Sequence, residues 1–327
     1  MASPVVTQQR PSYIIQGREQ WIDTLRGIAI ILVIMGHHIY GWGGFYLYTS
    51  PVKMPLFFAI SGYLFKPRGG NQKEFYKNLF LKLVVPWLVL GLAPYYNILH
   101  RFPDLISGKI HWFMPCLIIG EIIWFYIHKL AKSPRQIVVL GLIACGVGFL
   151  MDYLRIFNYA KINTAFIVQF FFVMGYLIRR YEDKLAIKWQ IWTTIVLVVH
   201  IVLSILCVKV YGWEPFSLNG NYFVNVPLCL AMIILGCTWM FTVFKQCRIA
   251  PRWLVYVGQN TLLIYLLHGV LIEPFMRLFN PSKQLIISRP INALVVTALA
   301  LILCSIASLF VNRYLPEAVG RKRKKGI

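Results

Sequence analysis

Arg26 and His37 stand in one otherwise aliphatic run, WIDTLRGIAIILVIMGHH, residues 21–38. Their spacing of about eleven residues is close to three helical turns, so on a helix both side chains share a face, roughly 16 Å apart along the axis. A guanidinium can hold phosphate oxygens with paired N–H donors, and an imidazole can take the proton of a reacting hydroxyl. The pair reads in one of two ways. Either Arg26 holds the phosphates of a soluble donor while His37 acts as a base, or Arg26 snorkels to water and His37 hydrogen-bonds a neighbouring helix. Asp23, three residues before Arg26, is placed to pair with it and orient it. His38 points about 100° away from His37 and ranks as a supporting or structural residue.

The elements that must hold these groups are membrane helices. The chain has 327 residues, 58% of them hydrophobic and 13% charged, a composition too uniformly apolar for a soluble domain of this size. Runs able to cross a hydrocarbon core of roughly 30 Å recur throughout. Ten spans are predicted, at 20–40, 52–66, 79–99, 113–129, 136–151, 162–178, 187–208, 223–244, 259–278 and 290–312. The expected fold class is all-α, a polytopic membrane protein of about ten transmembrane helices. It divides into an N-terminal tail (1–19), an integral-membrane domain (20–312) and a basic C-terminal tail (313–327). Residues 71–77 and the segment from Arg252 are expected to lie along the interface before the third and ninth spans.

Charge tests this drawing. Of 33 Lys and Arg residues, 22 fall on the side of the N-terminus and nine on the other, with Arg26 and Lys82 left inside spans. The positive-inside rule then makes both termini cytoplasmic. The second span is short, with about 14 apolar residues between Lys53 and Lys66; were it re-entrant, every later loop would change sides. The net charge of +22 is thus explained by orientation in a membrane and not by a nucleic-acid partner. The N-terminus lacks the basic-then-apolar order of a cleavable signal. Cys145, Cys207, Cys229, Cys237 and Cys304 fall inside apolar runs and read as small buried hydrophobes, with no CxxC or matching His pair for a metal.

Other polar residues admit two readings each. Ser61 is a conceivable nucleophile, yet it lacks a GxSxG context, and Ser-Gly commonly allows close helix packing. Glu121, well inside a span, either charge-stabilises a basic residue in a cavity or pairs with His128 or another helix. His111 and Trp112 stand at a span entrance, where an aromatic either stacks on a sugar face or belongs to the interfacial belt. His200 reads as structural. No Walker loop or dinucleotide fingerprint is present, which disfavours a nucleotide-driven pump.

Five elements together resemble a known family. They are RGIAIILVIMGH (26–37), FAISGYL (58–64), HWFMPCL (111–117), FVMGYL (172–177) and GQNTLLIYLLH (258–268). In this order they resemble the acyltransferase 3 family of integral-membrane acyltransferases, and the opening WIDTLRG looks most like its fucose 4-O-acetylase-like branch. The resemblance implies O-acylation: an acyl group, usually acetyl, moves from cytoplasmic acyl-CoA to a hydroxyl of a sugar or surface-glycan precursor. Acetyl-CoA would be a donor substrate and not a resident cofactor. The site would be a bacterial plasma membrane, with a carbohydrate or glycolipid acceptor and membrane lipid as partners. His37 corresponds to the family's essential histidine and Arg26 to its paired basic residue. Ser61, Tyr63, His111, Trp112, Asn260, Tyr265 and His268 fall in the matching elements and are expected to line an acceptor cavity. The family's Arg-x-x-Arg element at the third helix is replaced here; Lys82 is the best positional match, with Lys77 or Lys73 supplying the second charge. A lysine is a point charge where arginine is a fork, so phosphate contact takes a different geometry. The competing readings are a transporter or flippase of a glycan or glycolipid, and a purely structural membrane subunit, which leaves the Arg26–His37 spacing unexplained.

Overall fold

The computed structural model describes residues 19–37, 44–66, 71–95, 97–212, 216–278 and 289–321. His38 lies outside them, as do almost all of the N-terminal tail and the tail beyond Arg321. Long apolar runs form helices because hydrocarbon offers backbone N–H and C=O groups no partners outside the segment. The helices are α1 (Gln20–Gly36), α2 (Gly44–Leu64), α3 (Gln72–Leu79), α4 (Val85–Leu92), α5 (Ile98–Ser107), α6 (Phe113–Leu130), α7 (Pro134–Tyr153) and α8 (Ile162–Ile167). They continue with α9 (Gln169–Leu185), α10 (Trp189–Tyr211), α11 (Val226–Gln246), α12 (Arg252–Gln259), α13 (Thr261–Leu278) and α14 (Arg289–Tyr314).

The protein is all-α and has the helices of a multi-pass membrane protein. Among the described residues, six helices are long and apolar enough to cross: Gln72–Leu92, α6, α7, α10, α11 and the Leu294–Tyr314 part of α14. Two bent pairs, Tyr159–Ile167 with α9 at 42° and α12 with Thr261–Pro274 at 82°, bring the number to as many as eight if each pair is counted as one span. At the centre, α1 packs on α2, α11, α12, α13 and α14, while α2 packs on α9, α10 and α11.

Two boundaries differ from expectation for physical reasons. The apolar window of the second span stops at Lys53, but α2 begins at Gly44 and runs through Pro51 and Pro55, so Lys53 is an internal residue of the helix. The interfacial segment before the third span is continuous with it: α3 passes into α4 through a π-helical turn, Phe80–Val84. Pro86 lacks the N–H that would bond four residues back and its ring crowds that carbonyl, and a wider turn just before it relieves both. Lys82 sits in that turn. Asn71 caps α3, its side-chain oxygen accepting from the Glu74 N–H at 3.2 Å.

Glycines on both helices set the close crossing of α2 and α9. A Cβ at Gly62 would stand 2.1 Å from the Phe172 carbonyl oxygen, and one at Gly175 would stand 1.8 Å from that of Ala59. The two GYL elements, at 62–64 and 175–177, are therefore docking partners, which favours the packing reading of the Ser61–Gly62 step. On α10, Ile191, Ile195, Val198, Val202 and Ile205 are exposed, while His200 and Ser204 are buried. The apolar face turns outward to lipid and the polar one inward. His200 packs against Gly236 of α11, in keeping with a structural role. Cys145, Cys207, Cys229, Cys237 and Cys304 are all buried between helices. A small antiparallel hairpin, β1 (Phe216–Ser217) with β2 (Tyr222–Phe223), joins α10 to α11.

Candidate functional site

Because α1 stays helical to Gly36, Arg26 and His37 keep the separation expected of them, and each opens into its own cavity. The Arg26 chamber has a volume of about 350 Å³. Besides Arg26, its polar wall is Ser61, Lys66, Asn71, Asn78, Lys82 and Glu121. The face of α3 and the π-turn carrying Asn71, Asn78 and Lys82 thus turns inward. Lys73 and Lys77 are exposed on other faces of α3 and do not line the chamber. Lys66, at the end of α2, is a basic residue that sequence reasoning passed over as a span boundary.

Arg26 is oriented from behind. Asp23 is fully buried, with one carboxylate oxygen 3.9 Å from Arg26 Nη1. The other accepts from Gln259 Nε2 at 3.2 Å. The expected Asp23–Arg26 pairing is present, and Gln259 is the partner that sequence reasoning missed. On the opposite wall, the Ser61 hydroxyl donates to Glu121, whose carboxylate also feels the Arg26 charge. Ser61 thereby belongs to the polar lining as well as to a helix crossing.

Asn260 holds the 82° break between α12 and α13. Its Nδ2 donates to the Tyr256 carbonyl at 2.8 Å, and its Oδ1 accepts from Asn312 at 2.8 Å. Arg321 adds a bond to the Gln259 carbonyl at 2.9 Å. Asn260 lines none of the three chambers described here. Tyr63 also lies elsewhere: its hydroxyl donates to Glu182 at 2.7 Å and accepts from Arg179 at 3.1 Å. Glu182 in turn pairs with Lys245, so Tyr63 ties α2, α9 and α11 together.

The His37 chamber, about 360 Å³, lies at the other end of α1. His37, Lys53, His111, Trp112, Tyr265 and His268 line it, together with the hairpin residues Phe216 to Asn219. Lys161 clamps the hairpin by donating to the Asn219 carbonyl at 3.0 Å. The Lys53 ammonium reaches the helix end beside His37, since a Cβ at Gly36 would stand 2.7 Å from its Nζ. Lys53 and the hairpin are not legible in the sequence, the first because hydropathy ends a span at a charge and the second because two-residue strands leave no periodic signal.

The histidines of this chamber are held individually. His268 is buried; its Nδ1 is 2.7 Å from the Tyr265 carbonyl oxygen and its Nε2 is 3.2 Å from His37 Nε2. The Tyr265 hydroxyl accepts from the Phe113 N–H at 3.3 Å. His111 stands just outside α6 with φ of 50°, a left-handed conformation uncommon for a residue with a side chain. Its ring hydrogen-bonds the Gly91 backbone, while its buried Nε2 has no partner among the described residues. Nδ1 is then the donor to Gly91, and Nε2 keeps a lone pair. Burial pushes the His111 imidazole down to about 4, against a smaller raising effect of the Gly91 bond.

A third cavity, about 200 Å³, lies between the two chambers. It shares Arg26, Ser61 and Leu83 with the first and Tyr265 with the second, and Phe57, Phe113, Leu117 and Leu262 make it largely apolar. A largely apolar cavity thus lies between a basic vestibule and a cluster of imidazoles. Among the described residues, no group of three or more His, Cys, Asp or Glu could hold a metal ion.

A family model described as an acyltransferase domain matches residues 19–309, most of the chain. No curated protein matches it.

Proposed function

Since this chain belongs to the acyltransferase 3 family of membrane acyltransferases, we propose that it moves an acyl group, in the first place acetyl, from cytoplasmic acyl-CoA to a hydroxyl of a sugar or surface-glycan precursor. The observation that carries the reading is the succession of cavities from Arg26 to His37, the middle one sharing wall residues with each of the others. A basic vestibule suits the phosphates of a CoA, and Arg26, Lys66 and Lys82 would hold them. The apolar middle cavity suits an extended thioester arm. The His37 chamber, with a ring nitrogen of His111 and the face of Trp112, suits a hydroxylated acceptor.

His37 takes the proton of the acceptor hydroxyl as its oxygen attacks the thioester carbonyl. The tetrahedral intermediate then expels the CoA sulfur, which leaves as the thiol with the proton held on His37. With both termini cytoplasmic and about ten crossings of a bacterial plasma membrane, the Arg26 chamber faces the cytosol, which is where the basic loops point. The opening WIDTLRG supports the fucose 4-O-acetylase-like branch.

The test is to incubate purified protein with acetyl-CoA labelled in the acetyl group and a panel of glycan acceptors, beside His37→Ala. Label should pass to an acceptor, with release of free CoA, only with the wild type. Normal turnover by His37→Ala overturns the role of His37. Movement of a glycolipid across the membrane without CoA release overturns acyl transfer in favour of a flippase.

A further inference from the structure

The contact between His37 and His268 goes beyond lining a cavity, because the neighbours of His268 determine where its proton sits. Its Nδ1 lies 2.7 Å from the Tyr265 carbonyl oxygen, which can only accept, so Nδ1 carries the hydrogen. A neutral imidazole has a single N–H, which leaves His268 Nε2 with a lone pair. That atom is 3.2 Å from His37 Nε2. For this contact to be a hydrogen bond, His37 must donate from Nε2. A doubly protonated His268 would need a charge on a side chain only 5% exposed, which is costly. If both rings carried a proton on Nε2, the two N–H groups would face each other.

From this chain of donors we infer that His268 is the positioning residue of His37: it accepts the His37 Nε2 proton, fixes the ring, and leaves His37 Nδ1 as the atom that takes the acceptor's proton. The inference rests on the reading of His37 as the base. As the acceptor O–H loses its proton to Nδ1 and the new C–O bond forms, His37 becomes an imidazolium whose Nε2–H already points at the His268 lone pair. The bond becomes charge-assisted when charge develops, so it strengthens towards the transition state. When the C–S bond breaks, Nδ1 returns its proton to sulfur and the pair is restored. The link is anchored in α13 through Tyr265, whose hydroxyl is held in turn by the Phe113 N–H.

Two measurements on the full-length protein test this. Ring-nitrogen NMR of histidine-labelled protein, with His37→Gln to identify the His37 signals, should show His37 protonated at Nε2 and bare at Nδ1. In His268→Leu the fixed tautomer should be lost and kcat should fall about 100-fold or more, with the KM for acetyl-CoA unchanged. His268→Gln, whose amide oxygen can still accept, should recover kcat to within about tenfold of wild type. A wild-type His37 protonated at Nδ1 overturns the inference, as does wild-type kcat in His268→Leu. Equal losses in both variants with a parallel rise in KM would mark His268 as merely structural. A wild type that shows the Nε2–H signature but transfers no acyl group overturns the reaction and the catalytic use of the pair, while the pairing itself stands.

Discussion

Gly258 of α12 lies directly on the backbone of Asp23 in α1: a Cβ at 258 would stand 1.7 Å from the Asp23 carbonyl oxygen. Gly27 makes the matching approach from α1, where a Cβ would stand 2.5 Å from the Leu254 carbonyl oxygen. The crossing presses Gln259, the next residue, into hydrogen-bond reach of the Asp23 carboxylate, so a packing feature holds the group that orients Arg26. Gly258→Ala should therefore act twice. It should destabilise the protein by about 1–3 kcal/mol through overpacking, and it should raise the KM for acyl-CoA by misplacing Gln259. Thermal unfolding and donor kinetics on one preparation check both, and an unchanged midpoint would contradict the crossing.

Donor recognition should follow the lining of the Arg26 chamber and not proximity in sequence. Lys66→Ala and Lys82→Ala should each raise the KM for acyl-CoA, by about tenfold for the loss of one charge-assisted contact of roughly 1.5 kcal/mol. Lys73→Ala and Lys77→Ala, on outward faces of α3, should leave it unchanged. Arg26→Lys should also raise KM, because a point charge replaces a fork. Steady-state kinetics at varied acyl-CoA separate these variants, and equal effects of all four lysines would remove the chamber as the donor site.

The contrast between these lysines shows how far the sequence reaches. Helical periodicity puts Arg26 and His37 on one face because a straight helix has a fixed pitch, and it places Asp23 one turn before Arg26. That His111, just before α6, and His268 of α13 meet His37 in one chamber is long-range packing that no local pitch encodes. Which face of α3 turns inward does not follow, because the π-turn before Pro86 breaks the pitch. Lys53 was hidden for a related reason: hydropathy ends a span at a charge, although a helix can continue through one. Gln259 and Asn260 show the converse. They sit beside each other in one motif, yet the 82° bend sends the first to Asp23 and the second to Asn312.

Tyr63 belongs to a family-like element but binds Glu182 and Arg179 away from the chambers. Tyr63→Phe removes one donor and one acceptor from this tie and leaves the Lys245–Glu182 pair in place. It should lower stability by about 1–3 kcal/mol while kcat and both KM values stay at wild-type levels. A change in acceptor KM without a change in melting temperature would return Tyr63 to the acceptor cavity.

His111 should impose its own pH dependence on stability. Its ordinary value of 6.5 applies in the unfolded chain, and burial pushes it down to about 4 in the folded protein. Between those limits the unfolded chain binds more protons than the native one, so stability rises with pH across the window. The contribution is fully present above about 6.5 and is lost as pH falls to about 4, below which both states are protonated and nothing more is lost. At about 1.4 kcal/mol per unit, the loss across the window is about 3 kcal/mol. His111→Asn cannot titrate, and its side-chain amide can still donate to the Gly91 carbonyl. Thermal unfolding at pH 7.5 and pH 4.5 should therefore show a smaller difference for His111→Asn than for the wild type. Parallel behaviour of the two proteins would mean that His111 titrates like a solvated imidazole. It would then enter the chamber at low pH as a cation and not as the lone-pair acceptor that the proposed hydroxyl substrate requires.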